Sequence, residues 1–207
     1  MSGLFITFEG GEGSGKTTIA SKVKDILEKE GHKVVLTREP GGVVIAENIR
    51  DVIHNVAYTN MDPRTEALLY AASRRQHLVE KVLPALEDGA IVICDRFIDS
   101  SLVYQGIARG LGVENVYNMN LFATENLLPN RTIFFDVQPE VGLQRIQMNK
   151  DREVNRLDLE TLDFHKKVYD GYLSICKQFP DRIVKIDASR DVEGVLSQVL
   201  EQIRGLL

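Results

Sequence analysis

Cysteine is scarce in this chain, two in 207 residues, and Cys94 and Cys176 fall in neither a C-x-x-C motif nor any metal-ligand spacing. That excludes a disulfide framework and a thiolate metal centre, and makes two reduced thiols in a cytoplasmic protein the expectation. The four histidines, His32, His54, His77 and His165, are scattered, with no H-E-x-x-H and no second ligand at helical spacing. They read as surface or packing residues rather than as a zinc site. No apolar stretch reaches membrane-spanning length, and Met1-Ser2-Gly3 runs straight into strand-like sequence without a signal-peptide pattern. Excess positive charge is missing too: at a net −5 the chain lacks the basic footprint that phosphate-backbone recognition requires. Membranes and nucleic acid are therefore not expected partners. There is no repeat and no low-complexity segment, and 43% hydrophobic residues suffice for one core. A single domain over 1–207, with a mobile appendage, is expected.

What is present is a complete G-x-x-x-x-G-K-[ST] loop, Gly10-Gly11-Glu12-Gly13-Ser14-Gly15-Lys16-Thr17. Its glycines let consecutive backbone N–H groups turn inward around a polyphosphate. Lys16 brings an ammonium to the β/γ phosphates, and Thr17 offers a hydroxyl to Mg²⁺. The loop is preceded by the strand-like Leu4-Phe5-Ile6-Thr7-Phe8 and followed by apolar residues at helical spacing from Thr18 onward, so it opens a helix N-terminus, where anions are favoured. A nucleoside triphosphate with Mg²⁺ is the expected ligand. The glycines do not fall in G-x-G-x-x-G register, which argues against a dinucleotide fold.

Apolar runs recur at Leu4–Phe8, Lys33–Leu36, Ala90–Cys94, Thr132–Val137 and Arg182–Ile186, separated by long helical patterns at Lys16–Glu30, Ala46–Ile53, Pro63–Leu86, Ser100–Arg109, Val113–Thr124, Val141–Asn149, Leu159–Gln178 and Val192–Arg204. This alternation predicts an α/β fold with a parallel sheet flanked by helices on both faces. Ligands then collect at the carboxyl ends of the strands, which read Glu9-Gly10, Thr37-Arg38-Glu39, Asp95-Arg96 and Asp136.

Ile91-Val92-Ile93-Cys94-Asp95 ends in a carboxylate suited to orienting the Mg²⁺ shell, and Arg96 beside it is suited to holding a phosphate bidentately. With Arg38, Arg50 and Arg74 also near the strand ends, the site carries more positive charge than a triphosphate matched by Lys16 and Mg²⁺ requires, so a second anion is implied. A GTPase is disfavoured, because Asp95 lacks the glycine of D-x-x-G and Asn149-Lys150-Asp151-Arg152 lacks the last Asp of N-K-x-D.

The run from Phe8-Glu9-Gly10 through Thr18, then Thr37-Arg38-Glu39-Pro40-Gly41-Gly42, Leu68-Leu69-Tyr70-Ala71-Ala72-Ser73-Arg74, Asp95-Arg96-Phe97, Ser100-Ser101 and Tyr104-Gln105 resembles the thymidylate kinase family from about residue 4 to about residue 190. The resemblance implies a P-loop kinase fold with a five-stranded parallel sheet and a short lid, transfer of the ATP γ-phosphoryl group to dTMP, a place in dTTP synthesis, and a homodimer packed through helices. It assigns Gly10, Gly11, Glu12, Gly13, Ser14, Gly15, Lys16, Thr17 and Thr18 to ATP, and Thr17 and Asp95 to the metal. To dTMP it assigns Glu12, Glu39, Arg50, Tyr70, Arg74, Arg96, Ser100, Ser101, Tyr104 and Gln105. Among these, Arg96 takes the phosphate, Tyr70 stacks on thymine, Arg74 meets a thymine carbonyl, Ser101 and Gln105 read the rest of the base edge, Tyr104 lies beside the sugar, and Glu12 is near the 3′-OH. Tyr70 and Phe97 stand where Phe and Tyr are more usual, and Val43-Val44-Ile45-Ala46 replaces the usual Thr-Pro-x-Gly.

The polar run Gln147 to Arg156 has the composition of an exposed loop and resembles the family's lid. Members with an arginine inside the phosphate loop can do without one in the lid; Gly13 occupies that position here, so Arg152 and Arg156 are expected, with Lys16 and Arg96, to stabilise the migrating phosphoryl. Two other readings compete. A kinase for a different nucleoside monophosphate would need other base readers than Arg74 and Gln105, and a regulatory ATP switch would have no use for a second phosphate site.

Overall fold

The computed structural model describes residues 3–148, 156 and 160–207; Arg152 and most of the expected lid lie outside them. Five strands, β1 (Leu4–Glu9), β2 (Val34–Arg38), β3 (Ile91–Asp95), β4 (Arg131–Asp136) and β5 (Ile183–Asp187), form one sheet in the order β2-β3-β1-β4-β5. Every pairing is parallel. The strands are apolar on both faces because both faces are covered. Phe5, Val92, Cys94, Phe134 and Ile183 pack to one side, against the segments around Leu78–Leu86, Phe97–Tyr104 and Phe164–Ile175. Their neighbours in sequence, Ile6, Phe8, Ile91, Ile93, Ile133 and Phe135, pack to the other, against α1 (Lys16–Lys29) and α9 (Val192–Arg204).

Between these elements run α2 (Val44–His54), α3 (Pro63–His77), α4 (Leu83–Glu87), α5 (Ile98–Ser101), α6 (Val113–Thr124), α7 (Pro139–Met148) and α8 (Leu162–Gln178). Side-chain caps start several of them where the sequence calls for one: Asp62 accepts from the backbone N–H of Arg64 and Thr65, with Pro63 at the first position of α3, and Asp191 accepts from Gly194 N. The expected helix Pro63–Leu86 is one continuous rod whose middle, Leu78–Val82, widens into a π-helical turn. A second π-helical stretch, Leu102–Ala108, follows α5 and carries Tyr104 and Gln105. Such widened turns re-aim side chains and recur at functional sites.

Helix α1 differs from α3 and α9 in having no side chain on its cap: Gly15, at φ 89°, stands there. The first N–H groups of α1 are thus left facing the mouth of the cleft at the carboxyl end of β1, beside which the strand order reverses.

Candidate active site

The phosphate loop is held open by its own lysine. Lys16 Nζ donates to the carbonyl oxygens of Gly10 (3.1 Å) and Gly11 (3.0 Å) and to Ser14 Oγ (3.1 Å), so the loop is wrapped around an ammonium. Burial and the neighbouring charge of Arg96 bring that group's pKa down to about 8. Beside it Thr17 Oγ1 donates to Asp95 Oδ2 at 2.7 Å. Hydroxyl and carboxylate oxygen at the rim of the cleft are the hard donors that Mg²⁺ accepts alongside phosphate oxygens, so this pair fits that ion.

Gly13 (φ 67°) rests directly on the backbone of α7: a Cβ there would come within 2.1 Å of the Gly142 carbonyl oxygen, and a Cβ on Gly142 within 2.2 Å of the Glu12 carbonyl oxygen. No side chain fits at either position. This interlock agrees with the placement of the chain among those without an arginine in the loop, and no sequence pattern marked Gly142 for it.

Arg96 occupies the junction between two clefts, in the left-handed region at φ 71°, an uncommon conformation for a residue with a side chain. Its guanidinium donates to Glu12 Oε1 (2.6 Å), to the Gly10 carbonyl (3.1 Å) and to Ser100 Oγ (3.2 Å), and lies over the Tyr104 ring. Under it, Glu9 is fully buried and accepts from Phe97 N (2.7 Å), Ser100 N (3.2 Å), Ser100 Oγ (2.5 Å) and the Tyr172 hydroxyl (2.8 Å). Burial, and after it the charge of Asp99, push the Glu9 carboxyl from its ordinary 4.5 to about 7. A folded-state pKa above the unfolded one stabilises the fold fully below the unfolded value and loses that contribution as pH rises through the folded value. Glu9→Gln, which keeps the shape and stays neutral, should therefore flatten the decline of Tm between pH 4.5 and 7; parallel melting profiles for the two proteins would show that Glu9 does not titrate in this window.

The deeper cleft, of about 200 Å³, is lined by Glu12, Thr17, Arg38, Glu39, Arg50, His54, Tyr70, Arg74, Asp95, Arg96, Ser100, Ser101, Tyr104 and Gln105. All ten residues expected on the nucleoside monophosphate are among them. Several are already committed. Arg74 is 2% exposed and donates to Glu39 Oε2 (2.7 Å), Ser101 Oγ (3.1 Å), the Phe97 carbonyl (3.0 Å) and Asn120 Oδ1. Among the described residues that leaves one of its five N–H bonds, and Arg74 lines the cleft. Glu39 spends its other oxygen on His77 Nδ1 (2.9 Å), whose Nε2 meets Thr37 Oγ1 at 2.7 Å, so His77 is a packing residue as expected. His54 is not: it stands in the cleft wall, its pKa brought down to about 3 by burial and then by the charge of Arg50. Ending α2 among arginines, it had no spacing signal to reveal it.

The shallower cleft comprises Glu12 to Thr18 with Asp95, Arg96, Arg145 and Ile146. The last two come from α7 and were not anticipated; Arg145 is steadied by the Ala188 carbonyl, at 3.2 Å.

The structure corrects the expectation for Arg156. An exposed loop residue facing the phosphates was anticipated, but Arg156 is 7% exposed, donates to the Ile53 carbonyl (3.1 Å), forms an ion pair with Glu66 and lines a separate pocket with Arg109 and Glu160. Glu66 is itself buried, and a buried carboxylate left without a counter-charge is costly, so Arg156 pairs with it. The expectation for Arg152 falls outside the described residues.

A phosphate loop at the end of β1, a carboxylate at the end of β3 and an arginine joining a second, base-sized cleft define a P-loop phosphotransferase acting on a small phosphorylated acceptor. The thymidylate kinase family model matches residues 8–199. The thymidylate kinase of Bacillus licheniformis is 61% identical over 199 residues, covering 96% of this chain and 94% of the relative, and that of Bacillus cytotoxicus is 56% identical over the whole of both. A crystal structure of thymidylate kinase from Ehrlichia chaffeensis superposes with a TM-score of 0.79 at 32% identity, covering 99% of each chain. The chain belongs to the thymidylate kinase family.

Proposed function

We propose that ATP lays its phosphates on Gly10 to Thr18 while dTMP fills the deeper cleft, and that this enzyme phosphorylates dTMP to dTDP across Arg96. The reading is carried by one observation: Glu12, Thr17, Asp95 and Arg96 line both clefts, so donor and acceptor phosphates meet at those four residues. Thr17 and Asp95 would hold Mg²⁺, which supplies charge neutralisation at the transferring phosphates. Lys16 neutralises the same region from the protein side, and Arg96 positions the acceptor phosphate. No general base is needed, since a phosphate monoester with a second pKa near ~6 is already anionic at neutral pH.

In the deeper cleft the Tyr70 ring stacks on the base, the last N–H of Arg74 meets a carbonyl, Ser101 and Gln105 read the remaining edge, and Tyr104 flanks the sugar near Glu12. Arg152 is assigned to the migrating phosphoryl, while Arg156 stays in its ion pair with Glu66. The enzyme acts in the cytoplasm in dTTP synthesis as a homodimer. The side chains of Leu68 on α3 and Phe122 on α6 are 59% and 89% exposed, and a second copy would cover them; sedimentation checks this.

The activity is tested by ADP release with dTMP, dUMP, dCMP and UMP as acceptors. dTMP should support the highest kcat/KM, and ADP formation should depend on the acceptor. Turnover without acceptor would favour an ATP switch, and preference for dCMP or UMP would move the enzyme to another acceptor. Thr17→Ala should raise the Mg²⁺ concentration needed for half-maximal rate by about tenfold, with the melting temperature little changed; an unchanged Mg²⁺ dependence would remove Thr17 from the metal site.

A further inference from the structure

Glu66 has no part in the chemistry above, yet α3 buries it to 1% exposure one turn before Tyr70. Its Oε1 accepts from Gln105 Nε2 (3.0 Å) and Arg109 Nε (3.3 Å), and its Oε2 accepts from Arg109 (3.3 Å) and Arg156. Burial alone would raise the pKa of this carboxyl, but hydrogen bonds from Gln105 and Arg156 and the charges of Arg109 and Arg156 outweigh it and hold the group below the usual carboxylate range. An ionised carboxylate only accepts. The amide of Gln105 must therefore turn its NH₂ toward Glu66, because the opposite rotamer would set a carbonyl oxygen against a full negative charge. Among the described residues Gln105 Oε1 has no protein partner, and Gln105 lines the deeper cleft.

We propose that Glu66 is a positioning residue for base selection: by taking the Gln105 NH₂ it fixes the amide carbonyl toward the cleft, which then demands a ring N–H at that edge of the base. Thymine and uracil present such an N–H at N3. Cytosine presents a lone pair there, and two acceptors face each other. Arg109 and Arg156 complete the device by keeping Glu66 charged, and Arg109 is itself tied to Glu160 at 2.6 Å. The inference rests on the reading that the base lies against Gln105.

The test is a double-mutant cycle on specificity. Wild type, Glu66→Gln, Gln105→Met and the double variant are assayed for kcat/KM with dTMP and dCMP, alongside thermal melting. In Glu66→Gln the new amide can face Gln105 with either its oxygen or its nitrogen, so the reader is no longer fixed. The dTMP:dCMP ratio should fall by about tenfold, through dTMP KM more than kcat, and the same substitution in the Gln105→Met background should leave the ratio nearly unchanged. An equal effect of Glu66→Gln in both backgrounds, or an unchanged ratio with a lowered Tm, overturns the positioning role and leaves Glu66 structural. If Gln105→Met alone leaves the ratio unchanged, the base does not lie against Gln105 and the placement beneath the proposal fails. Should Glu66→Gln not fold, Glu66→Asp, which keeps the charge but withdraws the carboxylate from Gln105, goes through the same cycle with the same outcomes.

Discussion

Lys16→Ala is expected to lower the rate of phosphoryl transfer by on the order of a thousandfold or more, a loss comparable to or larger than that of a single preorganised donor in a water-excluded site. The ammonium has two duties here. It supplies the protein's positive charge where negative charge gathers on the β/γ phosphates, and its three hydrogen bonds to Gly10, Gly11 and Ser14 keep the loop shaped before any ligand arrives. The variant separates these duties when melting is measured beside turnover. The carbonyls that lose Lys16 lie beside an open cleft and can turn to water, so Tm should shift by only a few degrees. Turnover within tenfold of wild type would mean that the loop does not carry the transferred phosphates.

Arg74→Ala should produce the largest stability loss of the substitutions considered. Arg74 and Glu39 face each other with both side chains 2% exposed, and removing Arg74 leaves the Glu39 carboxylate buried with only the His77 ring beside it. That costs about 3–5 kcal/mol, which for a chain of this length is roughly a 10 °C drop in Tm. Asn120 and the Phe97 carbonyl lose their donor at the same time. Base selection should weaken as well: dTMP loses a carbonyl partner while dCMP loses an unfavourable encounter, so the ratio of their kcat/KM values narrows. Arg74→Lys should recover little, because one ammonium cannot reach four acceptors set around a planar fork. A variant that melts like the wild type would show that Glu39 finds another partner.

These two residues also mark how far the chain could be read before its fold was known. Lys16 sits in a contiguous motif whose chemistry is local, so its role was legible from eight letters. The strands were legible from apolar runs, though β1, β2, β3 and β5 each extend to a charged last residue, Glu9, Arg38, Asp95 and Asp187. Composition assigns such residues to loops, but backbone pairing continues through them. Arg74 was legible as a cleft residue but its commitments were not, because Glu39, Phe97 and Asn120 are distant in sequence and only packing assembles them. The same holds for Arg156, which a polar neighbourhood places in solvent and which Glu66, 90 positions earlier, draws inside. The π-helical stretch under Tyr104 and Gln105 leaves no trace in periodicity, since one widened turn shifts the apolar pattern too little to notice.

The contact between Gly13 and Gly142 bears on what this chain could become. Two backbones touching without side chains form a lock with no single key: a Cβ on Gly13 lands on the Gly142 carbonyl, and a Cβ on Gly142 lands on the Glu12 carbonyl. The in-loop arginine that some members of the family carry is therefore not one substitution away. Any lineage moving toward it from here must first shift α7 off the loop, and the intermediate would have a slackened phosphate cradle before the new cation arrived. Neighbouring solutions to the same chemistry can in this way be separated by a barrier built of nothing larger than a methylene group.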